Sequence, residues 1–407
     1  MRFLHTADFH LGKMFYEKSL LEDQDFMLRA LRAELEGARK DGEPYSALVI
    51  AGDVYDRSVP PADAVELLGN FLTDIHQDFP DIHILLLAGN HDSAERLSFL
   101  KGPLSKQNIH ICTDCASITE PVIVDGAAFY QLPYLTPGCI KRRAEGDGIQ
   151  PPLFGPETRL RGQQELLDEA VRQITEAHRA SYGELPCILC AHLFAAGSGT
   201  GGQETGTAGG TDQIDAGVLE PFTYVALGHI HSAQKAAHNA WYSGSPLAYS
   251  FDERDSEKYF LSVTVSSCSA KDTAVKKIPV VPLHAVKSIT CSFDDAMHNP
   301  GYGGLRDCYI QVNCTDKNMI ENPMPLLRTR FPNVLSFCYT KSRTDTGSAS
   351  LSERRRLLSR KEKSSAERIF TAFLCDLYGE DALSKDALVK EETEIFRRIA
   401  ESLEEQS

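Results

Sequence analysis

Short motifs that combine acids, an amide and imidazoles recur through the first 231 residues. They are Asp8-x-His10, Gly52-Asp53, Gly89-Asn90-His91-Asp92, His192 and Gly228-His229-x-His231. Singly, each has an ordinary explanation: a lone histidine at a strand end is usually structural, and Asp92 could cap a helix at residues 93–100. Together and in this order, they predict a metal centre.

The size of the set predicts two ions. Seven ligands are too many for one ion, and they are Asp8, His10, Asp53, Asn90, His192, His229 and His231. Asp53 is the natural bridging carboxylate, because it is the single acid on its segment. Oxygen and imidazole ligands without thiolate suit Mn²⁺, Fe or Zn²⁺ in an open catalytic site. Two ions about 3.5–4 Å apart clamp the attacking and leaving oxygens of a phosphoryl displacement.

The elements that must position these residues are short apolar runs. Runs at residues 3–6, 47–51, 83–88, 122–132, 187–191, 224–227 and 259–265 are typical of strands buried on both faces. Predicted helices at residues 24–40, 62–79 and 163–180 alternate with them, which indicates a layered α/β domain. Five of the runs end at a motif, and the carboxyl ends of parallel strands form one crevice. In extended backbone, Asp-x-His and His-x-His would place both side chains on one face.

The pattern changes near residue 270, which predicts further domains. Runs at 276–281, 308–312 and 334–339 indicate a small α+β unit, and residues 341–363 are polar and charged. Ser364-x-x-Glu367 has the spacing of a capping box, and a last helix is expected from about residue 385. We therefore expect domains at 1–270 and 271–345, a linker at 346–363 and a helical tail at 364–407. The tail either packs on its own domain or docks another chain's helices.

Composition sets broad limits on the 407-residue chain. Hydrophobic residues make up 42%, and no apolar run approaches the roughly 20 residues of a membrane span. The first residues lack the apolar core of a signal peptide, so we expect a cytoplasmic protein without a membrane partner. Eleven cysteines are too dilute for a disulfide scaffold, and we expect buried thiols at Cys112/Cys115 and Cys187/Cys190. The Gly-, Ser- and Thr-rich residues 197–210 predict a loop.

The formal net charge of −15 opposes a free-standing DNA binder. It does not exclude a nuclease that holds DNA through local patches, metal ions or a partner subunit.

The motifs resemble the calcineurin-like metallophosphoesterases. Asp8-Phe9-His10-Leu11-Gly12-Lys13, Gly52-Asp53-Val54-Tyr55-Asp56, residues 227–235 and Tyr242-Ser243-Gly244-Ser245-Pro246 resemble, more narrowly, the bacterial SbcD-type nuclease subunits. The resemblance covers roughly residues 1 to 255. It implies a metallophosphoesterase β-sandwich flanked by helices, with a small capping domain that contacts DNA and a C-terminal helical region.

The resemblance also implies roles for individual residues. Asp8, His10, Asp53 and His231 would bind the first metal, and Asp53, Asn90, His192 and His229 the second. His91 would lie over the scissile phosphate as a general acid or phosphate-stabilising group, and Asp92 would orient its imidazole. Two Mn²⁺ ions are the cofactors that the resemblance implies.

The same resemblance implies partners and a substrate. Such subunits cut double-stranded ends, hairpins and single strands of DNA, in repair, recombination and replication. They form a homodimer joined to an SbcC-type ATPase subunit. The ATPase would dock on residues 364–407, and the dimer contact would involve residues 62–79 and 93–100.

Two other functions remain open from the sequence. The same ligands would serve a stand-alone metallophosphoesterase of small phosphodiesters or phosphoproteins, although such an enzyme has no need of the small domain and helical tail. A non-catalytic scaffold would be expected to have a damaged ligand set, whereas this set is complete.

Overall fold

A computed structural model describes residues 1–99, 101–140, 160, 162–195 and 213–340, and the single residue Phe396. The chain divides into two compact units, Met1–Thr340 and Lys341–Ser407. The expected loop at 197–210, the linker at 346–363 and, apart from Phe396, the helical tail at 364–407 lie outside the described residues. Among the described residues, no helix has the length and apolar character needed to cross a membrane.

The strands of the described part follow one another in chain order. They are β1 (Arg2–Thr6), β2 (Met14–Phe15), β3 (Lys18–Ser19), β4 (Ala47–Ala51), β5 (His83–Leu87), β6 (Ile109–Cys112), β7 (Val122–Val124), β8 (Ala127–Leu132), β9 (Cys187–His192), β10 (Phe194–Ala195), β11 (Gln213–Ile214), β12 (Tyr224–Gly228), β13 (Gln234–Lys235), β14 (Ala240–Tyr242), β15 (Tyr259–Val265), β16 (Thr273–Pro279), β17 (Val286–Cys291), β18 (Tyr309–Cys314) and β19 (Val334–Tyr339).

The α-helices of the same part are α1 (Leu21–Lys40), α2 (Ala62–Asp78), α3 (Ala94–Leu97), α4 (Lys101–Ser105), α5 (Gln163–Ser181), α6 (Phe293–His298) and α7 (Pro323–Arg330). The three long predicted helices are confirmed as α1, α2 and α5. Ser93, rather than Asp92, caps α3, because its hydroxyl accepts the backbone N–H of Arg96.

Two six-stranded sheets form the main body. The first has the order β16-β15-β1-β4-β5-β6, and the second β13-β14-β12-β9-β8-β7. Strands β1, β4, β5 and β6 run parallel in the first sheet, as do β8, β9, β12 and β14 in the second. The expected layered α/β fold is confirmed.

Strand β4 shows why its sequence lacks polar alternation. Leu48 and Ile50 pack into a core that also contains side chains of α1 and α2. Ala47, Val49 and Ala51 face a second core that contains residues of both sheets, including Phe129 and Tyr224. Because both faces are covered, every residue of β4 is buried. The sheets therefore form a sandwich, with α1 and α2 on the outside of the first sheet and α5 packed on the second.

Two predicted strands need correction. The run at 122–132 is a hairpin, because Asp125 and Gly126 have positive φ angles of 46° and 74° and turn the chain between β7 and β8. The run at 276–281 does not belong to the small unit, because β16 pairs with β15 at the edge of the first sheet. Its side chains alternate between half-buried and exposed, which explains why the sequence pattern changes there.

The small unit is a three-stranded parallel sheet in the order β17-β18-β19, with α6 and α7 packed on it. It joins the main body through Asp23 of α1, whose carboxylate accepts hydrogen bonds from the Tyr309 hydroxyl at 2.6 Å and from the His284 backbone N–H at 3.1 Å.

Candidate metal centre

The predicted ligands come together at the carboxyl ends of five parallel strands. Strands β1, β4 and β5 of the first sheet lead into Asp8, Asp53 and Asn90. Strands β9 and β12 of the second sheet end at His192 and lead into His229. The crevice thus lies where the ends of the two packed sheets face each other.

The backbone that carries the ligands is not extended, contrary to expectation. Asp8, His10 and Asp53 have φ angles of 56°, 44° and 47°, and His229 has a φ of 105°. Backbone hydrogen bonds hold these conformations: the N–H of Asp8 donates to Gly52 O, and that of His10 to Asp53 O, both at 3.0 Å. Left-handed backbone at non-glycine residues is strained, and such strain concentrates at functional sites.

Gly89 and Gly228 lie where segments that carry predicted ligands pass very close to one another. A Cβ at Gly89 would lie 2.1 Å from Asp53 Oδ1, and a Cβ at Gly228 would lie 1.8 Å from the Ala51 carbonyl oxygen. The lack of a side chain at each glycine therefore lets two strand ends of the centre cross closely.

Three of the ligands form a first group. One donor atom each from Asp8, His10 and His231 lies within 4.8 Å of the others. Nε2 of His10 lies 3.1 Å from Nε2 of His231, so two imidazole nitrogens point at the same space. All three side chains are buried.

Asn90 and two histidines form the other side of the centre. The Oδ1 atom of Asn90 lies 2.9 Å from His192 Nε2 and 3.1 Å from His229 Nδ1. The outer nitrogen of His192, Nδ1, donates to the Ala51 carbonyl at 2.9 Å, which directs Nε2 into the centre. Asp8, Asp53 and His192 also form a three-residue group with converging donor atoms.

Asp53 lies between the two sides. Its Oδ2 atom is 3.4 Å from His192 Nε2 and 3.8 Å from His10 Nε2. Its Oδ1 atom accepts the backbone N–H of His91 at 2.9 Å. One carboxylate oxygen therefore faces donor atoms from both sides, which is the arrangement required of a bridge.

The electrostatics fit a bound cation. Burial lowers the pKa of His10 well below its usual range and that of His229 to about 3, so both imidazoles are neutral, which is the form that binds a metal. Burial opposes ionisation of Asp53, but the nearby imidazoles of His192 and His10 bring its pKa below the ordinary value. Burial also opposes protonation of His192, yet Asp53 raises the pKa of that imidazole to about 9. A divalent cation would supply the positive charge that this imidazolium otherwise supplies, so the residues present fit a metal.

His91 lies beside the ligands and is exposed to solvent. Its ring centroid is 4.9 Å from that of His10. Its Nδ1–H donates to the Asp56 carbonyl at 2.8 Å, which leaves Nε2 for a molecule arriving from solvent. This position suits proton donation to a substrate at the open side of the centre.

Asp92 has a different role from the one expected. Its carboxylate accepts backbone N–H groups of Val54 at 3.1 Å, Tyr55 at 2.9 Å and Gly89 at 2.9 Å. The carbonyl of Asp56, rather than the carboxylate of Asp92, orients the His91 ring. Asp92 instead ties the loop after β4 to the loop after β5, which keeps their ligands together.

Three residues that support the centre were not predicted. Gln24 of α1 donates to the His10 carbonyl at 2.7 Å and accepts the Gly12 N–H at 2.9 Å. Glu253 and Lys258 lie behind His231. None of the three sits in a motif with ligand spacing, although a buried glutamine, glutamate and lysine are unusual enough to be a signal once burial is known.

The cysteines take no part in the metal-ligand groups found among the described residues. Cys112, Cys187 and Cys190 are buried free thiols, as expected, whereas Cys115 is only partly buried.

The sandwich and the centre together define a metal-dependent phosphoesterase. A sequence model of the family described as calcineurin-like phosphoesterase matches residues 1–233, more than half of the chain. The chain belongs to this family.

Proposed function

We propose that this chain is the nuclease subunit of an SbcCD-type complex, a manganese-dependent enzyme that hydrolyses DNA phosphodiesters. The observation that carries the proposal is a ligand set that is buried on one side and open to solvent on the other. Asp8, His10 and Asp53 are buried, while Asn90 and His91 are exposed. A polymer backbone much larger than the centre can therefore reach it from the solvent side.

The chemistry divides between the ions and the chain. A bound pair of ions supplies an activated nucleophile and stabilises charge on the phosphate. Asp53 would hold both ions, with Asp8, His10 and His231 as the other ligands of one ion and Asn90, His192 and His229 as those of the other. His91 donates a proton to the leaving oxygen, a role that contributes about 10²–10⁴-fold to such reactions.

The acidic chain would draw its DNA grip from partners. With a net charge of −15, it gains little from counterion release on DNA. We propose that an SbcC-type ATPase docks on residues 364–407 and that a second copy of the chain contacts residues 62–79 and 93–100. Val65 and Phe99 support the dimer contact, because these apolar side chains are 48% and 75% exposed.

A specific cavity favours a second candidate, a phosphoesterase of small phosphodiesters. A cavity of about 740 Å³ adjoins the centre and is lined by Asn90, Asp92, Tyr134 and Thr136 among others. This volume accommodates a small ligand.

The test compares DNA with a small phosphodiester. Labelled linear, hairpin and single-stranded DNA and bis(p-nitrophenyl) phosphate are incubated with Mn²⁺ and the full chain, with and without the ATPase subunit. The proposal expects DNA cleavage that rises with the ATPase present and is lost in His91→Ala. Turnover of the small ester alone, with intact DNA under all conditions, would favour the second candidate.

A further inference from the structure

A buried ion pair lies directly behind His231. Glu253 is 1% exposed and Lys258 is 8% exposed, and the Lys258 Nζ donates to Glu253 Oε2 at 2.5 Å. Burying two charges is costly, and a pair of this kind adds little to stability compared with well-packed apolar residues. A contribution to folding stability therefore does not explain why this ion pair lies behind His231.

The pair holds His231 at two points. Glu253 Oε1 lies 3.3 Å from Nδ1 of the His231 ring. Lys258 Nζ donates to the His231 carbonyl oxygen at 3.0 Å and to the Ser245 hydroxyl at 2.9 Å. Side chain and backbone of one ligand are thus fixed by one ion pair.

The contact determines which nitrogen of His231 carries the proton. The Lys258 ammonium donates to Glu253 Oε2 at 2.5 Å, so the carboxylate is paired with a positive charge. The ionised carboxylate only accepts, so Nδ1 of His231 must be the donor. Nε2 then presents its lone pair toward His10 and the first ligand group.

His231 differs from His10, His91 and His192 in the group that its outer ring nitrogen contacts. The outer nitrogens of His192 and His91 donate to neutral backbone carbonyls. Nδ1 of His10 has no hydrogen-bond partner in the described part and lies 3.7 Å from Asp56 Oδ1. A carboxylate behind an imidazole orients the ring and raises its basicity as a ligand, which a carbonyl does less strongly.

We propose that Glu253 and Lys258 are positioning residues that tune the affinity of the ion bound by Asp8, His10 and His231. The inference rests on the proposed metal pair, but not on DNA as the substrate. Removal of the Glu253 carboxylate lowers the affinity of this ion by about 10–100-fold. The affinity of the ion on the Asn90 side changes much less.

Manganese titration of the metal-free chain, with free Mn²⁺ followed by electron paramagnetic resonance, tests this inference. Glu253→Gln is compared with the double variant Glu253→Gln/Lys258→Met, which leaves no uncompensated buried lysine. Asp23→Asn is the matched control, because Asp23 is a buried carboxylate that also faces a histidine, His284, outside the metal centre. Urea unfolding with a chelator reports the metal-free stability of each variant.

The expected result is selective weakening of one of two manganese sites in both Glu253 variants, while Asp23→Asn changes only metal-free stability. A folded double variant with unchanged affinities at both sites would overturn the inference, as would an equal loss of affinity in Asp23→Asn. A wild-type chain that binds no manganese would overturn it together with the proposed function. Two bound ions without DNA cleavage would overturn only the nuclease.

Discussion

At the scale of residues, we expect different side chains of the centre to bind the ions and to act on the substrate. Seven predicted ligands converge, and His91 lies next to them with its Nδ1 bonded to a carbonyl and its ring in solvent. Because Nδ1 of His91 is occupied by the Asp56 carbonyl, and the seven predicted ligands do not include His91, we expect it to contribute little to retaining an ion. Its loss should therefore affect the chemical step more than metal binding.

His91→Ala tests this separation. We expect unchanged manganese content and a fall in the rate of phosphodiester cleavage of about 10²–10⁴-fold, because the proton donor is lost. Elemental analysis and cleavage of labelled single-stranded DNA, whose alkoxide leaving group needs a proton, measure the two quantities. Loss of metal along with activity would mean that His91 is itself a ligand.

Asp53→Ala tests the bridging carboxylate. Since one Asp53 oxygen faces donor atoms of both sides, the variant should lose both ions rather than one. Titration with Mn²⁺ counts the ions that remain, and Asp23→Asn serves as the control for removing a buried carboxylate. Two ions retained with near-normal affinity would rule out the bridge.

The ligands could be predicted because their residue types are unusual at strand ends and their spacings are short. The supporting residues could not, since Gln24 acts from a helix and Glu253 lies 22 residues beyond His231. Their roles depend on tertiary contacts that no local pattern encodes. The resemblance implies that Asp92 orients His91, whereas its carboxylate bonds the backbone of another loop, a contact that depends on tertiary structure.

At the scale of elements, the centre depends on close crossing of strand ends from two sheets. Gly228 ends β12 against the Ala51 carbonyl of β4, a contact between two backbones that no side-chain movement relieves. The fit of the sheets at this edge should therefore be sensitive to one methyl group.

Gly228→Ala should destabilise the fold by about 1–3 kcal/mol, the usual cost of overpacking, and weaken manganese binding. Gly69→Ala is the control, because Gly69 lies in α2 with open space around it and the change should stabilise by up to about 1 kcal/mol. Urea unfolding measures both. Equal stabilities for the two variants would contradict the proposed crossing.

His5 of β1 makes the sandwich sensitive to acid. It is buried between the sheets, with its ring nitrogens 3.1 Å from the Tyr224 hydroxyl and 3.2 Å from the Leu227 carbonyl. Burial lowers the pKa of His5 to about 3, whereas the unfolded imidazole titrates near 6.5. The unfolded chain therefore takes up a proton that the folded chain refuses, and stability is lost as the pH falls below about 6.5.

His5→Gln should reduce this dependence. Between pH 7 and pH 5 the wild-type chain should lose about 2 kcal/mol of stability through His5, and the variant should lack that part of the loss. Urea unfolding of both chains with a chelator at the two pH values measures the difference. An equally steep pH dependence in the variant would show that His5 does not titrate as described.

Element types were more predictable than their boundaries and partners. The long helices and the buried strands before the ligands follow from apolar periodicity, which local sequence determines. Asp125 and Gly126 are residue types that favour a turn, but they lie inside an apolar run that as a whole predicts a single strand. The partner of β16 was not visible, because an edge strand with one exposed face resembles a strand of a separate small unit.

At the scale of the whole molecule, we propose that this chain supplies the catalytic site and that a partner subunit supplies most of the DNA-binding surface. The chain is acidic, so it should bind DNA weakly alone and more tightly if the proposed ATPase subunit contributes basic surface. Fluorescence anisotropy of labelled duplex DNA over a range of salt concentrations measures this. Tight binding by the isolated chain, with a steep salt dependence, would contradict a partner-supplied grip.

A variant shortened to end at Thr340 tests whether catalysis and docking of the ATPase subunit depend on different parts of the chain. The predicted ligands all lie in the unit Met1–Thr340, so the shortened chain should keep turnover of bis(p-nitrophenyl) phosphate and lose association with the proposed ATPase subunit. Docking is measured as the amount of ATPase subunit that co-purifies with the shortened chain, compared with the amount that co-purifies with the full chain. Undiminished co-purification would place the docking surface outside residues 364–407.

The central claim is a pair of metal ions among the strand ends of two packed sheets. Anomalous diffraction at the manganese edge, from crystals of the full chain grown with Mn²⁺, locates such ions directly. The account predicts two peaks that share Asp53, one beside His10 and His231 and the other beside His192 and His229. A single peak, or peaks away from these side chains at saturating manganese, would contradict it.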